Sequence, residues 1–195
     1  GYHRFDVTWE DERTVVKSEA RFAVKILFLN AYQYSHDNTE YWAGNCLTRI
    51  DAQTDDNGKP SVVSGSAEDG GFRVSTGDKS STLSGCVSSF AYWNPAFLEA
   101  DKLLNSQTGD YTPVTVVDSS DDVVTINGTD IPARRVTLSA GERPIMLWYR
   151  ADDGAWLQLA TTAAKDRELR YTLDVAPDSN ALPARRLAAA LDAVQ

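Results

Sequence analysis

Hydrophobic and polar residues alternate with a period of two along most of this chain. In "YHRFDVTW", Phe5, Val7 and Trp9 take one parity and Arg4, Asp6 and Thr8 the other. "EARFAVKILFL" sets Phe22, Val24, Ile26 and Phe28 on one face, and "AYQYSHDNTEYW" keeps Tyr32 and Tyr34 in register before Tyr41 and Trp42. Successive strand side chains point to opposite faces, so each run predicts a long, half-buried strand. Turn residues separate the runs: "GN" at 44–45, "DDNGKP" at 55–60, "EDGG" at 68–71, "TGDKS" at 76–80, "NG" at 127–128, "AGE" at 140–142 and "DDG" at 152–154. Asn-Gly and Asp-Gly supply the positive φ that tight hairpins need. Counting the runs predicts roughly ten or eleven strands at the spacing of an antiparallel meander. A twisted sheet of that many strands curls. The expected fold is therefore mainly β: a single, strongly curved antiparallel sheet, or half-barrel.

Two segments break the rhythm. In "SSFAYWNPAFLEADKLLNSQTGDY", Asn94 suits an N-cap and Pro95 the first helical position. The Leu and Ala residues that follow have helical spacing, which predicts one short helix inserted near residues 95–104, with Tyr92 and Trp93 ending the strand before it. The end of the chain, "PDSNALPARRLAAALDAVQ", is rich in the best helix formers and sets Leu187, Ala190, Leu191 and Val194 on one face. It predicts a C-terminal helix over 176–195, as a tail on one β-rich domain spanning 1–175. No repeat or linker divides that domain.

Composition narrows the functional classes. The 195 residues are 42% hydrophobic and 24% charged, with a net charge of −9. Nucleic-acid binding draws on a basic footprint, and the pairs Arg134-Arg135 and Arg185-Arg186 do not extend into one. No run approaches the ~18 apolar residues of a membrane-spanning helix. The two cysteines, Cys46 and Cys86, allow one disulfide or two free thiols. A bridge would close a loop worth roughly 3–4 kcal/mol on a chain-entropy estimate.

Candidate chemistry is sparse. His3 and His36 are the only histidines, and they read as surface residues. Ser35, His36 and Asp37 cannot form a triad, because neighbours on a strand point to opposite faces. The acidic clusters at 10–12, 55–56, 121–122 and 152–153 read as solvated turn residues. No metal site, nucleotide motif or cofactor motif is present, so no catalytic residue, metal or cofactor is assigned. Aromatic side chains are the distinctive resource. There are five tryptophans: Trp9, Trp42, Trp93, Trp148 and Trp156. Such a set fills a core or lines an apolar cavity.

The runs "SEARFAVKILFLNAYQYSHDNTEYWAGNCL", "TDDNGK", "CVSSFAYWNPAFLEADKLLNSQTGDYTPV", "IPARRVTL" and "IMLWYRADDGAWLQLATT" resemble an uncharacterised bacterial family, domain of unknown function 6134. The resemblance covers nearly all of residues 2–174. It implies an exported, periplasmic protein of Gram-negative bacteria, made with a signal peptide, and this agrees with a Cys46–Cys86 bridge. The order of elements is also similar to that of periplasmic β-clam proteins such as the lipoprotein carriers, in which a curved sheet wraps a helix. That second likeness concerns the fold alone and transfers no activity.

Three functions follow as expectations. The first is a non-catalytic carrier of an apolar ligand, a lipid or acyl chain, in a curved-sheet cavity lined or covered by Phe90, Tyr92, Trp93, Phe97, Leu98 and Trp148. The second is an interaction module with a protein partner in the cell envelope, docking through a sheet edge or the Ala/Leu tail. The third is a hydrolase with a site that carries none of the usual motifs.

Overall fold

A computed structural model describes residues 1–10, 13–26, 29–141, 143–162 and 168–174. The fold is mainly β, and its strands run as antiparallel meanders in two ladders. Seven strands pair in chain order: β1 (Tyr2–Glu10), β2 (Arg13–Ile26), β3 (Leu29–Ala43), β4 (Cys46–Asp56), β5 (Lys59–Glu68), β6 (Gly71–Thr76) and β7 (Lys79–Leu83). Six more pair as a second ladder: β8 (Lys102–Leu104), β9 (Tyr111–Ile126), β10 (Thr129–Ala140), β11 (Arg143–Arg150), β12 (Trp156–Thr162) and β13 (Glu168–Thr172). Among the described residues thirteen strands thus stand where ten or eleven were expected, and they form two ladders that part between β7 and β8.

The turn chemistry lands where the sequence put it. Asn57-Gly58 and Asn127-Gly128 take φ of 55°, 83°, 50° and 78° at the β4–β5 and β9–β10 hairpins. Positive φ at both central residues matches the twist of the flanking strands. Register shifts at Val24/Lys25 and Tyr41/Trp42 interrupt the ladders of the long strand β3. Each such bulge bends and further twists its strand, which lets a long strand follow a curled sheet.

Contacts group the chain into two compact units. One is Gly1–Phe90 with Leu104–Tyr111, and the other is Ala91–Leu103 with the chain from Thr112 onward. In the first unit, alternation buries one face of the sheet: Val16 and Ala20 on β2, Trp42 on β3, Leu47, Ile50 and Ala52 on β4, Val63 on β5, and Phe72 and Val74 on β6. The second unit buries both faces of its central strands. Leu147 and Tyr149 alternate with Met146 and Trp148 along β11, and all but the half-buried Met146 are buried.

The inserted helix expected over 95–104 is corrected to a single 3-10 turn, Pro95–Glu99. Its start is as expected, with Asn94 capping through its side chain, which accepts from the Ala96 N–H, and with Pro95 at the first position. Its end is not. Ala100 turns extended (φ −82°, ψ 138°), and the Asp101 carbonyl accepts from the Val114 N–H at 3.0 Å. Leu103 and Leu104, both fully buried, continue as β8. Burying two leucines in a strand outweighs the few tenths of a kcal/mol per residue that helix propensity offers. Tyr92 and Trp93 likewise lie in a turn rather than at a strand end. The predicted C-terminal helix, 176–195, lies outside the described residues.

Candidate functional site

Residues 46 and 86 are joined. Cys46 and Cys86 form a disulfide with Cα atoms 5.0 Å apart, closing a sequence separation of 40. Beside it the Leu47 N–H donates to the Val87 carbonyl at 2.8 Å. The bridge and this bond tie the segment after β7 to the start of β4.

The buried face of the first unit is not uniformly apolar. Ser18, His36, Asn38, Glu40 and Thr54 are all buried among its hydrophobic residues. Period-two spacing puts His36, Asn38, Glu40 and Trp42 on one side of β3. Register adds Ser18 opposite Asn38 and Thr54 opposite His36. His36 is therefore not a surface residue, and neither is the half-buried His3, whose Nε2 lies 3.0 Å from Ser18 Oγ. Burial lowers the titration of His36 and pushes His3 down to about 4.

His36 bridges two hydroxyls: Nδ1 lies 2.8 Å from Thr54 Oγ1 and Nε2 lies 3.2 Å from Ser106 Oγ. Ser35 and Asp37 lie on the opposite side of the strand, where Asp37 pairs with Arg21 at 2.8 Å, as the sequence required. Ser106 lies 70 residues from His36, in the tight turn after β8. Sequence spacing carried no signal for that meeting. The arrangement places a hydroxyl beside an imidazole, but a second hydroxyl occupies the position where a carboxylate would fix the tautomer.

Farther along β3, Glu40 is buried and accepts three hydrogen bonds. Asn38 Nδ2 and Ser89 Oγ donate to Oε1 at 3.0 and 2.8 Å, and Trp42 Nε1 donates to Oε2 at 3.2 Å. Burial raises the carboxyl above its ordinary range, and the three donors offset part of that rise.

The expected aromatic site falls mainly in the second unit, and the structure divides it. Phe90 belongs to the first unit and is half-buried. Tyr92 and Trp93 are half-buried, whereas Phe97 and Leu98 are buried in the 3-10 turn. Tyr92 meets Phe97 edge-on at 6.0 Å and stacks on Trp156 at 6.3 Å. Trp156 pairs in register with Tyr149. Trp148, next to Tyr149 on β11, points to the other face of the sheet. There it packs with Val124, Ile126 and Leu157, donates Nε1 to Asp122 at 2.8 Å and lies under Arg170 at 5.5 Å. Of the six residues expected to act together, Tyr92 and Phe97 are thus in contact, and Trp148 faces away from them. Trp156 and Tyr149 are the members sequence reading missed. "WLQLATT" and "IMLWYR" are buried on both faces, so alternation could not show which residue faces which side.

Tyr149 is fully buried, and its hydroxyl has no hydrogen-bond partner among the described residues. Burial pushes its titration well up. Two acidic clusters also depart from expectation. Asp121 and Asp122 lie within β9, paired to Arg134 and Trp148, and Asp153 is buried against Arg150 at 2.8 Å.

Among the described residues, no group of three or more His, Cys, Asp or Glu side chains gathers as metal ligands, and no helix is long and apolar enough to cross a membrane. No curated protein and no solved structure matches the chain. Residues 1–174 match the family described as a domain of unknown function, DUF6134, and the chain belongs to that family.

Proposed function

We propose that this is an exported, periplasmic, non-catalytic carrier of an amphipathic ligand, an acyl chain bearing a polar group. The observation that carries the reading is the Tyr149 hydroxyl, fully buried and unpartnered on the face where Trp156, Tyr92 and Phe97 assemble. Leaving a buried hydroxyl unpaired costs about 1–3 kcal/mol. A ligand's carbonyl or carboxylate would accept from it while the aromatic side chains and the neighbouring Leu147 and Leu159 hold the chain. The disulfide supports export, because such bridges persist in oxidising compartments. The likeness to β-clam carriers belongs to the same reading.

Native mass spectrometry of gently purified protein tests it, with fatty-acid titration followed by tryptophan fluorescence. A retained lipid and saturable quenching are expected. Tyr149→Phe should weaken binding by about fivefold, one neutral hydrogen bond, while leaving unfolding free energy unchanged or higher. Protein that retains no lipid and gives no saturable response to any acyl chain would overturn the proposal.

A second reading, an envelope interaction module, has one observation in its favour. β1 is the outer strand of its ladder and exposes Tyr2 and Trp9, and outer strands are templates for pairing with another chain. Loss of partner capture when Trp9 is replaced by Lys would favour it.

A further inference from the structure

A second polar site lies in the other unit, on the buried face of β3. Glu40 makes no ion pair among the described residues, and all three groups bonded to it are neutral donors. Its oxygens retain accepting capacity, since Oε2 takes one hydrogen bond only. Beside it Asn38 is only 8% exposed, and its amide uses Nδ2 on Glu40 while Oδ1 has no hydrogen-bond partner among the described residues. Opposite Asn38 on β2 stands Ser18, a further hydroxyl acceptor. The site holds a carboxyl group without a counter-charge and a carbonyl oxygen without a donor. Both deficits have the same remedy, a small group that is positive and rich in N–H.

We infer that Asn38, Glu40 and Ser18 form a binding site for a primary ammonium group. Its N–H bonds reach the Asn38 carbonyl and the Glu40 carboxylate, and its charge replaces the missing cation. A bare metal ion fits less well, because the site offers one carboxylate and no cluster of charged ligands. A quaternary ammonium has no N–H and leaves both acceptors unpaired.

The groups facing Glu40 are Val16 and Ser18 from β2, Ile50 and Ala52 from β4, Ser89 from the segment after the disulfide, and His36, Asn38 and Trp42 from β3 itself. Two titratable groups border the site, His36 on β3 and His3 on β1, whose Nε2 lies 3.0 Å from Ser18 Oγ, and burial lowers the titration of both. Burial raises the Glu40 carboxyl above its ordinary range, so the ammonium competes with a proton for the carboxylate, and a proton held there leaves as the ammonium binds. Charge balances in the exchange.

The experiment titrates the whole protein with methylammonium chloride. Tetramethylammonium chloride and sodium chloride serve as controls, and the Glu40 carboxyl carbon and Asn38 amide are followed by NMR. Saturable shifts in the millimolar range are expected with methylammonium alone. Calorimetry in two buffers of different ionisation enthalpy should show proton release, with binding tightening as pH rises. Glu40→Gln should weaken binding by at least about tenfold, the loss of a charge-assisted contact. No saturable shift, equal shifts with tetramethylammonium or sodium, or binding without proton release would overturn the assignment. The wild-type titrations decide the matter even if the variant fails to fold.

Discussion

Arg150 and Asp153 show how local sequence can conceal a buried charge pair. "RADDG" reads as a solvated turn, and the chain does turn there, with the Gly154 N–H donating back to the Arg150 carbonyl at 2.9 Å. Yet the two side chains are only 12% and 6% exposed. Burial alone would raise the Asp153 carboxyl; hydrogen bonds from Arg150 and the Ala155 N–H bring it below its ordinary range instead. Stranding one member of a buried pair costs about 3–5 kcal/mol, and here the exposed Asp152, 3.3 Å from Arg150 Nε, retains part of the pairing. Asp153→Ala is therefore expected to lower the unfolding free energy by about 2–3 kcal/mol in urea titration. Asp51→Ala, which breaks the exposed pair with Arg49 at 2.7 Å, should cost under about 1 kcal/mol. Equal losses in the two variants would mean that the Arg150–Asp153 pair gains nothing from its burial. The sequence could not rank these aspartates. Burial depends on what packs over a turn, and that is decided far along the chain.

At the scale of elements, the Cys46–Cys86 bridge does the work of a missing strand pairing. The segment from 84 to 94 has no strand of its own, only an isolated parallel bridge from Ser89 to Leu104. It is held by the disulfide, by Leu47 on Val87 and by Ser89 on Glu40. Cross-linking over this separation restricts the unfolded chain by about 4 kcal/mol. The double variant Cys46→Ser/Cys86→Ser, or reduction of the native protein, should lower the unfolding free energy by about that much. It should also raise hydrogen exchange at Leu104, whose N–H donates to the Ser88 carbonyl at 2.8 Å. Unchanged stability after verified reduction would contradict this role. Strands and hairpins were legible beforehand, because alternation and Asn-Gly turns are local properties. The Asn94 cap and Pro95 were legible for the same reason. Where the 3-10 turn stops was not, since the burial of Leu103 and Leu104 is a tertiary effect. The polar residues of β3 were visible only as letters in "SHDNTE". Period two sets His36, Asn38 and Glu40 on one side of the strand, but nothing in the sequence marked that side as buried, and His36 read as a surface residue.

Across the whole molecule, buried titratable groups pull stability in opposite directions with pH. Both histidines are held neutral by burial, His3 down to about 4. In the unfolded chain each takes up its proton near 6.5. Below pH 6.5 the unfolded state binds protons the folded state refuses, so stability falls as pH drops, over a window reaching about 4 for His3. Glu40 has the opposite sign. Its folded value is raised above 4.5, so the folded chain keeps a proton the unfolded chain has released. Its contribution is present below 4.5 and is lost as pH rises through the folded value. Asp153, held below 3.8, contributes above that pH and is lost only under stronger acid. The histidine and Glu40 effects therefore oppose each other above pH 4.5, where their windows overlap, and single variants separate them. Urea denaturation from pH 4 to 8 should show a flatter acid limb for His3→Gln. The wild-type limb carries up to about 1.4 kcal/mol per pH unit for that proton, on the order of 3 kcal/mol across the window. Glu40→Gln should leave the histidine-driven fall in acid and remove the opposing decline that begins above pH 4.5. If His3→Gln and wild type run parallel from 6.5 to 4, His3 takes its proton equally in both states and its neutral burial is refuted. If Glu40→Gln runs parallel to wild type above 4.5, Glu40 is ionised in the folded chain, and its charge is balanced there without a bound cation.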